Sequence, residues 1–279
     1  MNNPGGAAAA GNAQIDLMSW YVPGERCVRI KIKHRTAHLL GTIKLTIDCF
    51  HTVIVRYMDI PPISRLYLTG AFLTTAACAV DVITPFSLYF SWELVVTQGQ
   101  VWRLLTSYLF FGVFSIDFLF HMYFLVRYSR LLEEGEFRNR TAKYVWMLLF
   151  GWAHISWAAS YLQVHFLGSA LTFMMAYVWG RRNEDVKMSF LGFLTFHAPY
   201  LPWVMLAFSV VIGNAIMMDV LGIAVGHWYY YWEFVFPVVA QVRGWPLQRV
   251  LEPPRVIQWL CGEYVPFQQA AEEVHLHQD

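Results

Sequence analysis

Charge is the scarcest commodity in this 279-residue chain. Charged residues make up 14%, against 57% hydrophobic and 17% aromatic, whereas a soluble domain carries roughly a quarter charged residues. A chain this poor in charge lacks the polar surface to cover itself in water, and a lipid environment is the expected alternative. The net charge of +1 argues neither for nor against an anionic partner, so the distribution of charge matters more than its total; no nucleic-acid partner is expected. Cysteine is scarce too: Cys27, Cys49, Cys78 and Cys261 stand far apart with no CxxC. Only His51 lies near one of them, which supports neither a disulfide framework nor a zinc site. No metal or other cofactor is expected, and His275 and His277 read as a solvated tail. A cleavable leader is also missing, because the opening MNNPGGAAAAGN has no basic start and no run of large apolar residues.

What is present is a series of long apolar runs. Residues 1–56 stand apart as a basic extension: Gly/Ala-rich at first, then carrying Arg26, Arg29, Lys31, Lys33, Arg35 and Lys44. Val28 to Lys33 alternates apolar and basic residues as a half-wet strand would. Ala37 to Val55 is interrupted by His38, Lys44, Asp48 and His51. Each charge at a bilayer centre costs about 2.5–3.5 kcal/mol, so this stretch reads as surface-lying or unstructured rather than as a span.

From residue 57 to 240 the runs reach spanning length, about 20 residues for a hydrocarbon core of about 30 Å. The expected spans are Leu66–Thr84, Leu104–Val126, two short ones within Tyr144–Gly180, Met188–Ile212 and Ile216–Pro237. The pair within 144–180 turns at the soft stretch Ser160–His165, which leaves each helix about 17 residues, near the lower limit. Residues 241–279 form a C-terminal tail, Pro-containing and basic in its first part, 241–255. Lys and Arg concentrate in the N-terminal region, in 127–143, in 181–187 and in 241–255, while the opposite loops hold Arg103 and little else. Basic loops stay cytosolic, so an all-α bundle of six transmembrane helices with both termini in the cytosol is expected.

Polar residues inside spans are costly and point to function or to mutual pairing. Asp117 and His121 lie four apart and share one helix face. Asp219 begins the sixth span, and Gln163 and His165 sit at the turn between the third and fourth. Gly222 and Gly226 form a GxxxG, which strips side chains from one helix stripe and admits a neighbouring helix, within the chain or from a second copy.

Trp102-Arg103 closing one loop and Gly222-x-x-x-Gly226 in the last of six spans resemble the rhomboid superfamily. A closer resemblance, ordered along the chain, is to derlins. It is carried by Ile60-Pro-Pro-Ile-Ser-Arg65, Leu131-Leu-Glu-Glu-Gly135, Phe137-Arg-Asn-Arg-Thr-Ala142, Tyr177-Val-Trp179, Arg181-Arg-Asn183, Leu201-Pro-Trp203 and Gly222-Ile-Ala-Val-Gly-His227. Lys143 and Glu184 depart from the pattern at loop positions.

The resemblance implies an endoplasmic-reticulum membrane protein that helps misfolded luminal and membrane proteins reach the cytosol for degradation. Its partners would be those clients, a ubiquitin-ligase complex, membrane lipid and a cytosolic AAA ATPase. The tail, ending Ala270-Ala-Glu-Glu-Val-His-Leu-His-Gln-Asp279, lacks the box by which several derlins recruit that ATPase, so its recruitment would be indirect. Homo- or hetero-oligomers are both compatible with the motifs. The alternative, an active rhomboid serine protease, needs a serine and a histidine within hydrogen-bond reach. Aligned on the family motifs, those two places hold Gly168 and Asp219, leaving no catalytic residue. Ser169 is one helix position, about 100°, out of register. Asp117, His121, Gln163, His165 and Asp219 are then candidates for a polar vestibule on the luminal side. Trp102-Arg103 would be an interfacial anchor, its ring at headgroup depth and its guanidinium snorkelling outwards.

Overall fold

The computed structural model describes residue 51 and residues 54–190, 194–245 and 250–262. The strand-like stretch 28–33, the 37–55 segment up to residue 50, and His275 and His277 lie outside them. The chain divides into units 1–53 and 54–279, and everything below concerns the second.

Helix α1 (Pro62–Ala79) opens with Pro62 at its first position, where a missing N–H is harmless and the fixed φ suits a helix. Its next two N–H groups, of Ile63 and Ser64, donate to the Glu133 carboxylate at 3.1 and 2.9 Å. A buried side chain 69 residues away in sequence from Ser64 thus caps this helix. The Ser64 hydroxyl donates to the same carboxylate at 2.6 Å. It also lies 2.7 Å from Ser129, which in turn is 2.5 Å from the Tyr144 hydroxyl. Three helices are tied at one end by this chain of groups.

The loop that follows holds two short helices, α2 (Pro85–Leu88) and α3 (Trp92–Gln98). The apolar run expected to be one second span is broken in two, α4 (Arg103–Leu109) and α5 (Ile116–Leu131). Gly112 between them has φ +95°, a left-handed conformation that a helix cannot contain and that glycine alone adopts at little cost. Ser115 then restarts the helix, its hydroxyl accepting from the Phe118 N–H at 3.1 Å. A π-helical turn, Leu132–Glu136, leads into the basic loop.

Helices α6 (Thr141–Leu162) and α7 (Gly168–Arg182) form the expected hairpin, and its turn falls in the soft stretch. Gln163 ends α6 in the left-handed conformation (φ 55°). The two lengths are 22 and 15 residues, so α6 exceeds the expected 17 and only α7 is short. Helix α7 is the centre of the bundle. It packs against α4, α5, α6, and the two helices that follow it, and apart from half-buried Ser169 every residue from Gly168 to Gly180 is buried.

The expected fifth span is also revised. Its first half is a hairpin of β1 (Lys187–Phe190) and β2 (Leu194–His197), antiparallel with Lys187 opposite His197. Pro199 lacks the N–H that a helix running back through 188–197 would need, and the helix proper is α8 (Leu201–Ile212). Helix α9 (Ile216–Tyr230) continues through a π turn (Tyr231–Val235) into α10 (Phe236–Val242), and α11 (Arg255–Leu260) follows. Among the described residues no helix is long and apolar enough to cross a membrane. The architecture is overwhelmingly helical, with one small hairpin.

Candidate functional site: a cavity at one end of the bundle

A cavity of about 880 Å³ opens where the α6–α7 turn, the α8–α9 turn and the first loop meet. Pro85, Phe86 and Tyr89 form one wall, and Val164, His165 and Phe166 another. Its polar groups are few and converge from different elements: His121 of α5, Gln163 and His165 of the turn, Ser169 of α7, Asn214 of the α8–α9 turn and Asp219 of α9. Four of the five vestibule candidates are therefore brought together. The fifth, Asp117, stands behind them and lines a smaller void between α5 and α8.

Asn214, which sequence reading passed over, joins the two voids. It lines both, and its amide donates to Asp117 Oδ1 at 2.6 Å. The same oxygen stands 3.5 Å from His121 Nε2. Beside this contact the rings of Phe120 and Phe208 meet edge to face at 4.7 Å. The backbones of α5 and α8 scarcely approach each other, so side chains alone close this seam. Polar residues flanking a turn such as Gly213-Asn214 were the one available signal for Asn214.

Asp219 is 2% exposed, and among the described residues neither its Oδ2 nor the buried hydroxyl of Ser209 on α8 has a partner within hydrogen-bond distance, although the two side chains are close enough to interact. Unsatisfied buried polar atoms are expensive and often mark a place where water or a ligand enters. Among the described residues no hydrogen bond joins Ser169 to an imidazole. His165 stacks on Tyr89 with ring centroids 5.5 Å apart, and His121 is turned to Asp117. His227 lies elsewhere, its Nδ1 2.7 Å from the Tyr177 hydroxyl. At Gly168 an added Cβ would come within 2.7 Å of the Phe111 ring and 2.8 Å of the Tyr108 carbonyl oxygen. That position has no room for any other residue.

The Trp102-Arg103 pair behaves differently from the anchor expected. Trp102 is 53% exposed, as an interfacial ring would be, but Arg103 is 7% exposed and faces inwards. Its Nη1 donates to the carbonyls of Phe86 and Tyr89, both at 3.0 Å, and its Nε to Gln100 at 2.6 Å. The guanidinium also sits 4.5 Å from the centre of the Tyr89 ring. An arginine offers several rigid donors at once, and here it staples the loop that forms the cavity wall.

Gly222 and Gly226 face α7. A Cβ at Gly222 would collide with the Ala170 carbonyl oxygen and approach Phe173 Cβ to 2.7 Å; at Gly226 it would meet Tyr177 Cβ at 3.0 Å. The glycines let α9 lie against α7 and so set Asp219 and Ser169 on one cavity.

Residues 60–247 match the model of the Der1-like family. The chain belongs to that family, the derlins. It is 46% identical over 198 residues to Derlin-2.2 of Arabidopsis thaliana, covering 67% of this chain and 81% of that protein. It is 45% identical over 218 residues to Derlin-2 of Oryza sativa subsp. japonica, covering 74% and 85%. With the probable derlin-2 homolog of Dictyostelium discoideum it shares 39% over 194 residues, 67% of this chain and 76% of that protein. As a derlin it is a protein of the endoplasmic-reticulum membrane with a role in ER-associated degradation.

Proposed function

We propose that this derlin is a non-catalytic conduit factor of six membrane spans with cytosolic termini. It accepts misfolded luminal or membrane proteins at the cavity and passes them towards a ubiquitin ligase and, indirectly, an AAA ATPase. The observation that carries this reading is the cavity itself: about 880 Å³, lined mostly by rings and aliphatic groups, with buried Asp219 and half-buried Ser169 and Asn214 among its few polar groups. Apolar walls suit the hydrophobic segments that misfolding exposes, and the polar groups lower the cost of bringing peptide groups below the headgroups.

Helix lengths support a locally thin bilayer. At about 1.5 Å per residue, the 15 residues of α7 and the 12 of α8 reach only about 18–23 Å, short of a hydrocarbon core of about 30 Å. Lipid thins to meet short helices, which shortens the path a client crosses.

Proteolysis is disfavoured by the residues present. Gly168 and Asp219 stand at the nucleophile and base positions implied by the family motifs, and Asp219 offers a carboxylate where an imidazole is required. The test is the half-life of a misfolded luminal reporter in cells carrying Ala215→Trp, which fills the cavity from its rim. Slower turnover with normal membrane insertion is expected, and an unchanged half-life contradicts the reading. A serine-directed activity probe is expected to leave Ser169 unlabelled; labelling that Ser169→Ala abolishes would establish the protease alternative.

A further inference from the structure

The far end of α9 carries a surface that the cavity does not use. Through the π turn and α10 the chain presents a run of tilted aromatic rings in contact: Trp232 with Phe236 at 4.9 Å and Phe236 with Trp245 at 5.9 Å, with the Arg243 guanidinium 5.5 Å from the centre of the Trp245 ring. The chain then returns to the bundle. Val250 and Leu251 line a small pocket with Lys143 and Glu233, and α11 packs against α6. On α11, Val256, Trp259 and Leu260 are 67%, 68% and 69% exposed, while Ile257 is half-buried. Positions 256, 259 and 260 follow the i, i+3, i+4 spacing of a single helix face. Three large apolar side chains on one face of a six-residue helix call for a cover.

We infer that this cover is the anionic cytosolic surface of the bilayer, with Val256, Trp259 and Leu260 sunk to the headgroup boundary and Arg243 and Arg255 among the lipid phosphates. The inference rests on the membrane orientation proposed above and concerns only the described part of the cytosolic tail, up to residue 262. Three observations carry it. The first is depth: the Lys143–Glu233 bridge (2.9 Å) joins the first turn of α6 to the π turn that follows α9, and charges are too costly for the bilayer centre, which sets this pair near its edge. Val250 and Leu251, just ahead of α11, line a pocket with that pair. The second is tryptophan: Trp228, 49% exposed, and Trp245, 41% exposed, mark the two ends of the ring run Trp228–Trp232–Phe236–Trp245, α11 adds exposed Trp259, and tryptophan concentrates at membrane interfaces. The third is charge: among the described residues of 241–262, Arg243 and Arg255 stand against Glu252, a small local positive excess that suits anionic lipid. A helix of six residues cannot span, so it lies on the surface.

The test uses the full-length chain, with its native cysteines replaced by serine, in liposomes of phosphatidylcholine with or without phosphatidylserine. Single cysteines at Val256, Trp259, Asn139 and Leu149 carry an environment-sensitive fluorophore, read with lipid-borne and aqueous quenchers. Labels at 256 and 259 are expected to be quenched from the lipid side near the headgroups and shielded from iodide, and the label at exposed loop residue Asn139 the reverse. The Arg243→Glu/Arg255→Glu variant is expected to lose the phosphatidylserine preference, at about fivefold in surface partitioning per arginine. Iodide access at 256 and 259 equal to that at Asn139 overturns the inference. Shielding from iodide without lipid quenching overturns it in favour of a protein cover, such as a second copy. A preference that survives the charge reversal overturns the role of the two arginines. Leu149, half-way along α6, separates the levels: lipid quenching there alone refutes the inference only, and its absence refutes the membrane insertion of the bundle as well.

Discussion

Replacing Gly222 and Gly226 singly by alanine is expected to give two different results, and the difference follows from what each methyl meets. At Gly222 the obstacle is backbone: the Ala170 carbonyl oxygen lies closer than any real Cβ contact, its carbon is 2.9 Å away, and Phe173 Cβ 2.7 Å. None of these is the free end of a side chain, so α9 must move off α7. Overpacking of this kind costs about 1–3 kcal/mol and sometimes more, and alanine's better helix propensity returns about 1 kcal/mol. A carbonyl that cannot yield puts Gly222→Ala at the upper end, a net loss of about 2 kcal/mol. At Gly226 the nearest atoms are Tyr177 Cβ at 3.0 Å and the Met174 oxygen at 3.2 Å, a few tenths of an ångström too close. The propensity gain offsets most of that, leaving a net change within about 1 kcal/mol. The assay is equilibrium unfolding of the purified chain in mixed micelles, read beside the mass of the native particle. If the glycines instead served a dimer, both variants would dissociate it while monomer stability stayed level. Equal stability of Gly222→Ala and the unaltered protein would refute the packing argument.

Glu133→Ala removes the cap from α1 and the acceptor of the Ser64 hydroxyl. Charge-assisted hydrogen bonds are worth about 1.5–3 kcal/mol each and are not additive, so a loss of about 2–4 kcal/mol is expected in the same unfolding assay, with Glu133→Gln losing less because one oxygen still accepts. Arg103→Lys keeps the charge but loses the fork that holds Phe86 and Tyr89, and limited proteolysis of the 85–100 loop should accelerate as much as in Arg103→Ala; protection equal to the unaltered protein would show that charge alone suffices. Asn214→Ala leaves Asp117 without its amide donor and should make a cysteine at Phe208 more reactive to a membrane-impermeant thiol reagent; unchanged reactivity would mean that Phe120 and Phe208 close the seam unaided.

The chain betrayed its helical turns wherever polar residues interrupted an apolar run, as at Ser160–His165, and the glycine pair in α9 announced a close neighbour. Which neighbour it was depended on α7, a helix 50 residues earlier, and spacing within α9 holds no such information. Runs without polar interruption misled. The stretch 188–197 is as apolar as a span yet pairs as a hairpin, since hydrophobicity records burial and not the period of the backbone. The break at 110–115 hangs on one left-handed glycine inside a run of phenylalanines. Long-range polar pairs were the least legible: Glu133 figured only as part of a loop motif, and its partners at Ile63 and Ser64 became visible only in three dimensions. Arg103 was read outwards because an isolated arginine near an interface ordinarily seeks water; the carbonyls of Phe86 and Tyr89 outcompete it here.

The proposal that clients enter the cavity is tested most directly by a photo-crosslinking residue placed at Phe166, on the cavity wall, in microsomes making a misfolded luminal reporter. The account predicts adducts between Phe166 and the full-length reporter, and few from the same probe at Arg138 on the opposite loop. Adducts absent from the cavity, or a reporter cleaved in a manner that Ser169→Ala stops, would contradict it.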